Sequence, residues 1–172
     1  MIRNRFFTGK LLTAEDLELE QQYVRERLKQ HNRYLHGFGV VSGLAVSRSS
    51  GNAVTITPGL AIDCQGNEIL VEEPLKHSLP ESEGETIFLA IRYAEQATHP
   101  VSCVQPNCDV EHSRIEETFA VVFETNNTNQ GHRHSQGRWR ACGKPHGLTI
   151  ARLKRRAGQW KIERRYHPPR LG

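Results

Sequence analysis

Residues 6–46 read FFTGKLLTAEDLELEQQYVRERLKQHNRYLHGFGVVSGLAV, and this stretch decides the fold. Thr13 is a good N-cap, since its hydroxyl can accept from a free amide in the first helical turn. Asp16 lies three residues on and can reach back to the Thr13 amide, as the glutamate of a capping box does. Leu12 and Leu17 occupy the two positions of a hydrophobic staple. Glu15, Asp16 and Glu18 sit where the helix dipole favours negative charge, and Arg25, Arg27, Lys29 and Arg33 lie toward the end that favours cations. Gly37 is the expected left-handed stop. The spacing predicts a helix from Ala14 to His36, about 34 Å long at roughly 1.5 Å per residue. That is long for a small domain and favours protrusion or subunit contact.

Leu17, Gln21, Val24, Leu28, His31 and Leu35 recur at alternating spacings of four and three, the heptad pattern of a coiled-coil seam with two polar members. Two readings of this stripe stand. Either it packs on the protein's own sheet, as the apolar face of an amphipathic helix does, or it meets a second copy or a neighbouring subunit, with Gln21 and His31 fixing register.

Working outward, the rest of the chain reads as short strands. Val40–Ser47 and Ala53–Thr57 flank the turn cluster Ser49-Ser50-Gly51-Asn52, and Pro58-Gly59 marks a bend. Leu60–Asp63 and Glu68–Val71 flank the turn Cys64–Asn67. Pro74–Gly84 is a polar loop. Thr86–Tyr93 (TIFLAIRY) is the most buried-looking strand, and Ala94–Glu111 reads as irregular. Arg114–Glu124 is a strand centred on Phe119–Phe123. Thr125–Gly147 is a long polar loop, of a length that is functional, metal-bound or disordered in a compact domain. Leu148–Lys154 and Trp160–Tyr166 form a closing hairpin around Ala157-Gly158. The expected class is α+β: a long N-terminal helix followed by about seven strands in an antiparallel β-sandwich or open barrel. The expected organisation is an arm and helix over 1–38, then a β-rich domain over 39–172 whose Cys/His-containing region spans about 99–147.

The 172 residues carry a net charge of +4, but the charge is divided. Met1–Gly137 holds 12 Lys/Arg against 18 Asp/Glu, whereas Arg138–Gly172 holds 11 Lys/Arg against Glu163 alone. A basic end suits nucleic acid, a membrane surface or an acidic protein neighbour; the plainer alternative is a solvated strand face. Aromatic interleaving is thin there, with Trp139, Trp160 and Tyr166, so a single-strand stacking platform is poorly supported. Mean hydropathy is −0.59. No apolar run is long enough to cross a bilayer, and MIRNRFF lacks the apolar core of a signal peptide. The cytoplasm, with reduced thiols, is the expected compartment.

Cys103, Cys108, Cys142 and His146 have ligand-like character: C-x4-C and C-x3-H pairs in two irregular segments suit a tetrahedral structural zinc with no vacancy for chemistry. His132 and His134 are alternative fourth ligands, and free thiols or a disulfide are the competing readings. Cys64 stands alone in a turn as a small turn residue. Catalytic patterns are scarce. Ser42 lacks a nucleophile elbow. Gly37, Gly39 and Gly43 form no phosphate loop. Glu116 and Glu117 are adjacent on a strand and point to opposite faces. His31 and His36 are five apart, the wrong separation for one helix face. No enzyme is expected.

The run from Phe6 to Val46 resembles the N-terminal region of small proteins encoded beside contractile injection systems and phage tails. They share a pattern of the form GK-LLTAEDF…EQ-Y…R…HNR-LHG-GVV-GL-V. The similarity continues through VTITPGLAIDCQGNEILV, IFLAIRYAE and CDVEHSRIEETFAVVF, and LTIARLKRRAGQWKIE looks like the ending of baseplate and fibre-attachment modules. The chain departs from the pattern in its His-rich, basic loop over Thr125–Gly147. The resemblance implies a structural subunit of a tail-like particle, at the baseplate or a fibre attachment, assembled in the cytoplasm and then carried in the particle. The expected partners are other subunits of the particle and a second copy of the chain. The surfaces proposed for assembly are Leu17, Gln21, Val24, Leu28, His31 and Leu35 on the helix and Arg155, Arg156, Arg164 and Arg165 near the basic end. A nucleic-acid-binding module or a zinc-stabilised ligand-binding module is the alternative.

Overall fold

A computed structural model describes residues 1–81, 84–102, 110–130 and 146–171. Helix α1 spans Ala14–His31 and opens on the expected reciprocal cap. Asp16 N–H donates to Thr13 Oγ1 at 3.3 Å, and Thr13 N–H donates to Asp16 Oδ2 at 3.4 Å. Lys10 Nζ lies 2.8 Å from Asp16 Oδ1, and this hydrogen bond holds the carboxyl below its ordinary range. The last five residues of the expected helix form a π-turn, Asn32–His36, closed by Gly37 N–H on Asn32 O at 2.8 Å. Gly37 takes the positive φ that stops the helix, at +89°.

Ten strands follow among the described residues, all paired antiparallel. One sheet orders β1 (Gly39–Gly43), β4 (Gly59–Ile62) and β5 (Glu68–Val71) as β1-β4-β5. The second orders β2 (Val46–Ser49), β3 (Ala53–Ile56) and β6 (Leu75–Ser78) as β2-β3-β6. The third orders β7 (Thr86–Ser102), β8 (Val110–Glu124), β9 (Leu148–Arg156) and β10 (Gln159–Ile162) as β10-β9-β7-β8. One sheet curls into a half-barrel, so the α+β class is as expected. A single apolar cluster draws on all three sheets, through Val40, Val54, Ile56, Ile69, Val71, Leu89, Ile91, Leu148 and Leu153.

Three expectations are corrected. The run Val40–Ser47 is not one strand: it splits into β1 and β2, which join different sheets. Gly43 and Leu44 have φ of +60° and +54°, and two successive left-handed residues turn the chain out of its plane. A Cβ on Gly43 would meet the Pro58 carbonyl oxygen, because β1 crosses β4 at the Gly43–Gly59 pair. The polar segment Pro74–Gly84 contains β6, whose residues Leu75–Ser78 pair with β3. The described part of Ala94–Glu111 is strand: β7 continues to Ser102 and β8 starts at Val110.

The ends of the expected loop Thr125–Gly147 are fixed to the core by polar contacts. Buried Thr149 accepts at its carbonyl from Asn129 Nδ2 (2.8 Å), and its amide donates to Asn129 Oδ1 (2.9 Å). Asn129 Nδ2 also donates to the Tyr166 hydroxyl at 3.0 Å, and burial raises the pKa of that phenol. After β10 the chain returns to β1, where Val40 N–H donates to Pro169 O at 2.8 Å and Leu171 N–H donates to Val40 O at 2.9 Å.

Leu89 is fully buried where the sheets converge. Leu89→Ala is expected to cost about 2–5 kcal/mol, read as a lowered urea midpoint.

Candidate assembly surface and metal ligands

The stripe expected to form a seam lies on the outside of the protomer. Leu17, Val24, Leu28 and Leu35 are 53%, 58%, 49% and 70% exposed, and Gln21 and His31 are exposed between them. No residue of α1 is buried. The half-buried positions are Asp16, Leu19, Glu20, Tyr23, Glu26, Lys29 and Gln30, a second helical stripe on a different face. The protomer therefore leaves most of the heptad apolar side chains to water. The preceding arm adds Ile2, Phe7 and Leu11, each more than 60% exposed.

The helix is tied down at its C-terminal end. Asn32 is buried, and its Nδ2 donates to Gly66 O at 3.0 Å and to Glu68 Oε1 at 3.1 Å. The receiving turn is built by Asp63. Its Oδ1 accepts from the amides of Gln65 (2.8 Å) and Asn67 (2.9 Å), and its Oδ2 accepts from Asn67 Nδ2 at 2.8 Å. Gly66, at φ +86°, brings this turn so close to α1 that a Cβ there would meet the Lys29 carbonyl oxygen.

Farther along, Arg25 reaches Glu95 at 3.7 Å, both partly exposed. Glu18, Gln21, Gln22 and Arg25 face His112–Ile115 and Glu117 of β8 across an open groove of about 650 Å³. The β7–β8 hairpin beyond this point is an arm. Glu95–Ala97 and His99–Ser102 of β7, and Val110–Thr118 of β8, are exposed. On β7, β9 pairs with Thr86–Ile91, so among the described residues the outer part of β7 has β8 as its partner strand. A skipped pairing at His99, whose φ is +57°, and Pro100 interrupt the arm's edge; both features discourage strand addition.

The four arginines lie at the two ends of the β9–β10 hairpin. Arg155 and Arg156 sit at the β9–β10 turn, opposite Trp160 and Gln159, whereas Arg164 and Arg165 lie beyond the far end of β10. All four are exposed, and Arg155 lies over the Trp160 ring at 5.9 Å. Between them, Arg152 and Lys154 share the Glu163 carboxylate, at 3.1 and 3.2 Å.

Of the expected zinc ligands, Cys103, Cys108 and Cys142 lie outside the described residues, as do His132 and His134. His146 is described, and among the described residues Cys64 lies beside it, with Nε2 and Sγ 3.2 Å apart. Its Nδ1 is 2.9 Å from Gly147 O, so Nδ1–H donates there and Nε2 is left as the acceptor facing sulfur. Phe38 stands edge-on to the imidazole with ring centroids 6.2 Å apart. Cys64 is buried, so its place is more than that of a small turn residue.

The expectation that His31 and His36 lie on different faces is overturned. Their Nε2 atoms are 3.1 Å apart. The π-turn, which bonds i to i+5, brings residues five apart into register.

Asn32→Ala should cost about 1–3 kcal/mol, because it leaves the Gly66 carbonyl and the Glu68 carboxylate without this donor. Val24→Ser, on the exposed stripe, should stay within about 0.5 kcal/mol of the parent. Paired denaturation curves check both, and a Val24→Ser loss as large as a core truncation would place that stripe inside the protomer.

No protein-family profile matches the sequence, and no curated protein matches it. The fold does match solved structures. A chain of the type VI secretion system baseplate complex aligns with a TM-score of 0.57 and 14% identity, over 98% of this chain and 60% of that one. A chain of the TssK–TssF–TssG baseplate subcomplex of the type VI secretion system aligns at 0.57 and 16% identity, over 99% and 62%. The crystal structure of TssK aligns at 0.57 and 11% identity, over 98% and 42%. This chain thus spans between 42% and 62% of the length of the chains it matches. It carries a fold found in the baseplate proteins of the type VI secretion system, a contractile injection system.

Proposed function

We propose that this protein is a structural subunit of a contractile injection system or phage-tail-like particle, at its baseplate or at a fibre attachment. It acts by protein–protein assembly, not by catalysis. The observation that carries this reading is the exposed heptad stripe on α1: Leu17, Val24, Leu28 and Leu35 are largely in water on a helix that buries no residue of its own. Apolar stripes of this kind are covered in complexes, where a second helix seats its side chains between them. The fold shared with type VI baseplate proteins supports the same reading. The partners are other subunits of the particle and a second copy of this chain. The exposed arginines at both ends of the β9–β10 hairpin suit acidic neighbours and set association rate and orientation more than affinity.

Leu17→Asp combined with Leu28→Asp leaves the core untouched and places charge in the seam. Co-expression with the neighbouring particle genes, followed by sedimentation and electron microscopy, should show the parent in particles. The double variant should remain free, with an affinity loss of about 2 kcal/mol or more. Undiminished incorporation of the folded double variant would remove the stripe from the proposal.

A structural zinc is the second reading, favoured by the geometry at His146. A histidine whose Nδ1–H is held by a backbone carbonyl presents Nε2 as a metal ligand, and here it faces a buried thiol. The proposed ligands are Cys103, Cys108, Cys142 and His146, with Cys64 as the thiol found next to the imidazole. Zinc measured by mass spectrometry on purified protein should be about one equivalent per chain. His146→Ala should release it, whereas zinc-free parent protein of full stability would exclude the site.

A further inference from the structure

The junction between α1 and β1 brings His31, a member of the heptad stripe, against His36, which lies outside it. We propose that His31 and His36 form a two-point chelate for a divalent transition cation of the zinc, nickel and copper class.

The geometry is that of a chelate. Two nitrogens bound side by side to one such cation, each at roughly 2.0–2.1 Å, stand about 2.9–3.4 Å apart when the angle between them is 90–110°. The His31 and His36 Nε2 atoms are 3.1 Å apart. The ring planes meet at 59° with centroids 5.0 Å apart, so the rings converge on their nitrogen tips and do not stack face to face. Without a cation, one nitrogen must donate to the other; with one, both lone pairs are used at once. Both rings are exposed, which leaves the remaining coordination positions open to water or to a ligand from another molecule.

The backbone makes the pair. In an α-helix, residues at i and i+3 or i+4 share a face and residues five apart do not. The π-turn over Asn32–His36 replaces the i+4 bond with the Gly37–Asn32 bond, spanning five residues. Such turns are rare and recur at functional sites. This one is held by buried Asn32, whose amide also contacts Glu68 at 3.1 Å. Glu68 lines the same cavity as His36, which places one carboxylate on its wall. Lys29 and Arg33 are the nearby basic side chains on the same helical segment. Among the described residues no third His, Cys, Asp or Glu completes a cluster. The site is therefore a half-filled one with exchangeable positions, unlike the closed zinc site proposed at His146.

Nickel chloride titrated calorimetrically into the full chain at neutral pH tests this, with His31→Gln, His36→Gln and the double variant run alongside. Any cysteine site is common to all four proteins and cancels. The parent should bind one more equivalent than the double variant. Each single variant should lose about tenfold or more in affinity at that site, because one imidazole alone lacks the second point of the chelate. Copper should bind the same site more tightly than nickel. Identical isotherms in all four proteins, or single losses that simply add, would overturn the proposal, and circular dichroism confirms that the exposed substitutions leave the fold intact.

Discussion

One buried amide organises the helical part of this molecule. Asn32 is the buried member of the helical segment, and it joins the end of α1 to the turn between β4 and β5. An unpaired amide at such a place would cost stability, so both ends of the contact must be kept. The constraint propagates in two directions. Toward the N-terminus it leaves α1 laid along the body by a polar, half-buried face, which turns Leu17, Val24 and Leu28 outward. Toward β1 it helps fix the π-turn, and with it the juxtaposition of His31 and His36.

The sequence made the helix start legible because capping is local chemistry. Thr13 and Asp16 are three residues apart, and their reciprocal hydrogen bonds depend on nothing beyond that turn. The turns at Gly51 and Gly66 were legible for the same reason. What escaped depends on contacts distant in sequence. Lys76 and Ser78 look like loop residues, and only pairing with β3 makes a strand of them. Pro100 marks irregular chain by local rules, yet it is tolerated in β7, where among the described residues that part of the strand pairs on one side. The split of Val40–Ser47 was hidden because Leu44 takes a left-handed conformation that leucine rarely adopts.

The candidate sites divide along the same line. The heptad stripe is legible as a periodic face with two polar members, but periodicity cannot say whether its cover is the chain's own sheet or another chain. The structure puts it in water. His146 was singled out by its spacing from Cys142, whereas its described neighbour is Cys64, 82 positions away in sequence. The histidine pair was set aside by applying α-helical spacing to residues that adopt a π-turn. No propensity announces that wider turn.

The way α1 is moored also has a mechanical side. Its 18 residues make a lever about 27 Å long at roughly 1.5 Å per residue. Its firm fixture is at one end, with an exposed Arg25–Glu95 pair part-way along. A sideways force on the tip would be resisted mainly at Asn32 and the packed Gly66 turn, since an exposed ion pair offers little. Under load from a moving neighbour the helix would swing as a unit before its own hydrogen bonds gave way. The joint, not the rod, is where motion would enter the fold.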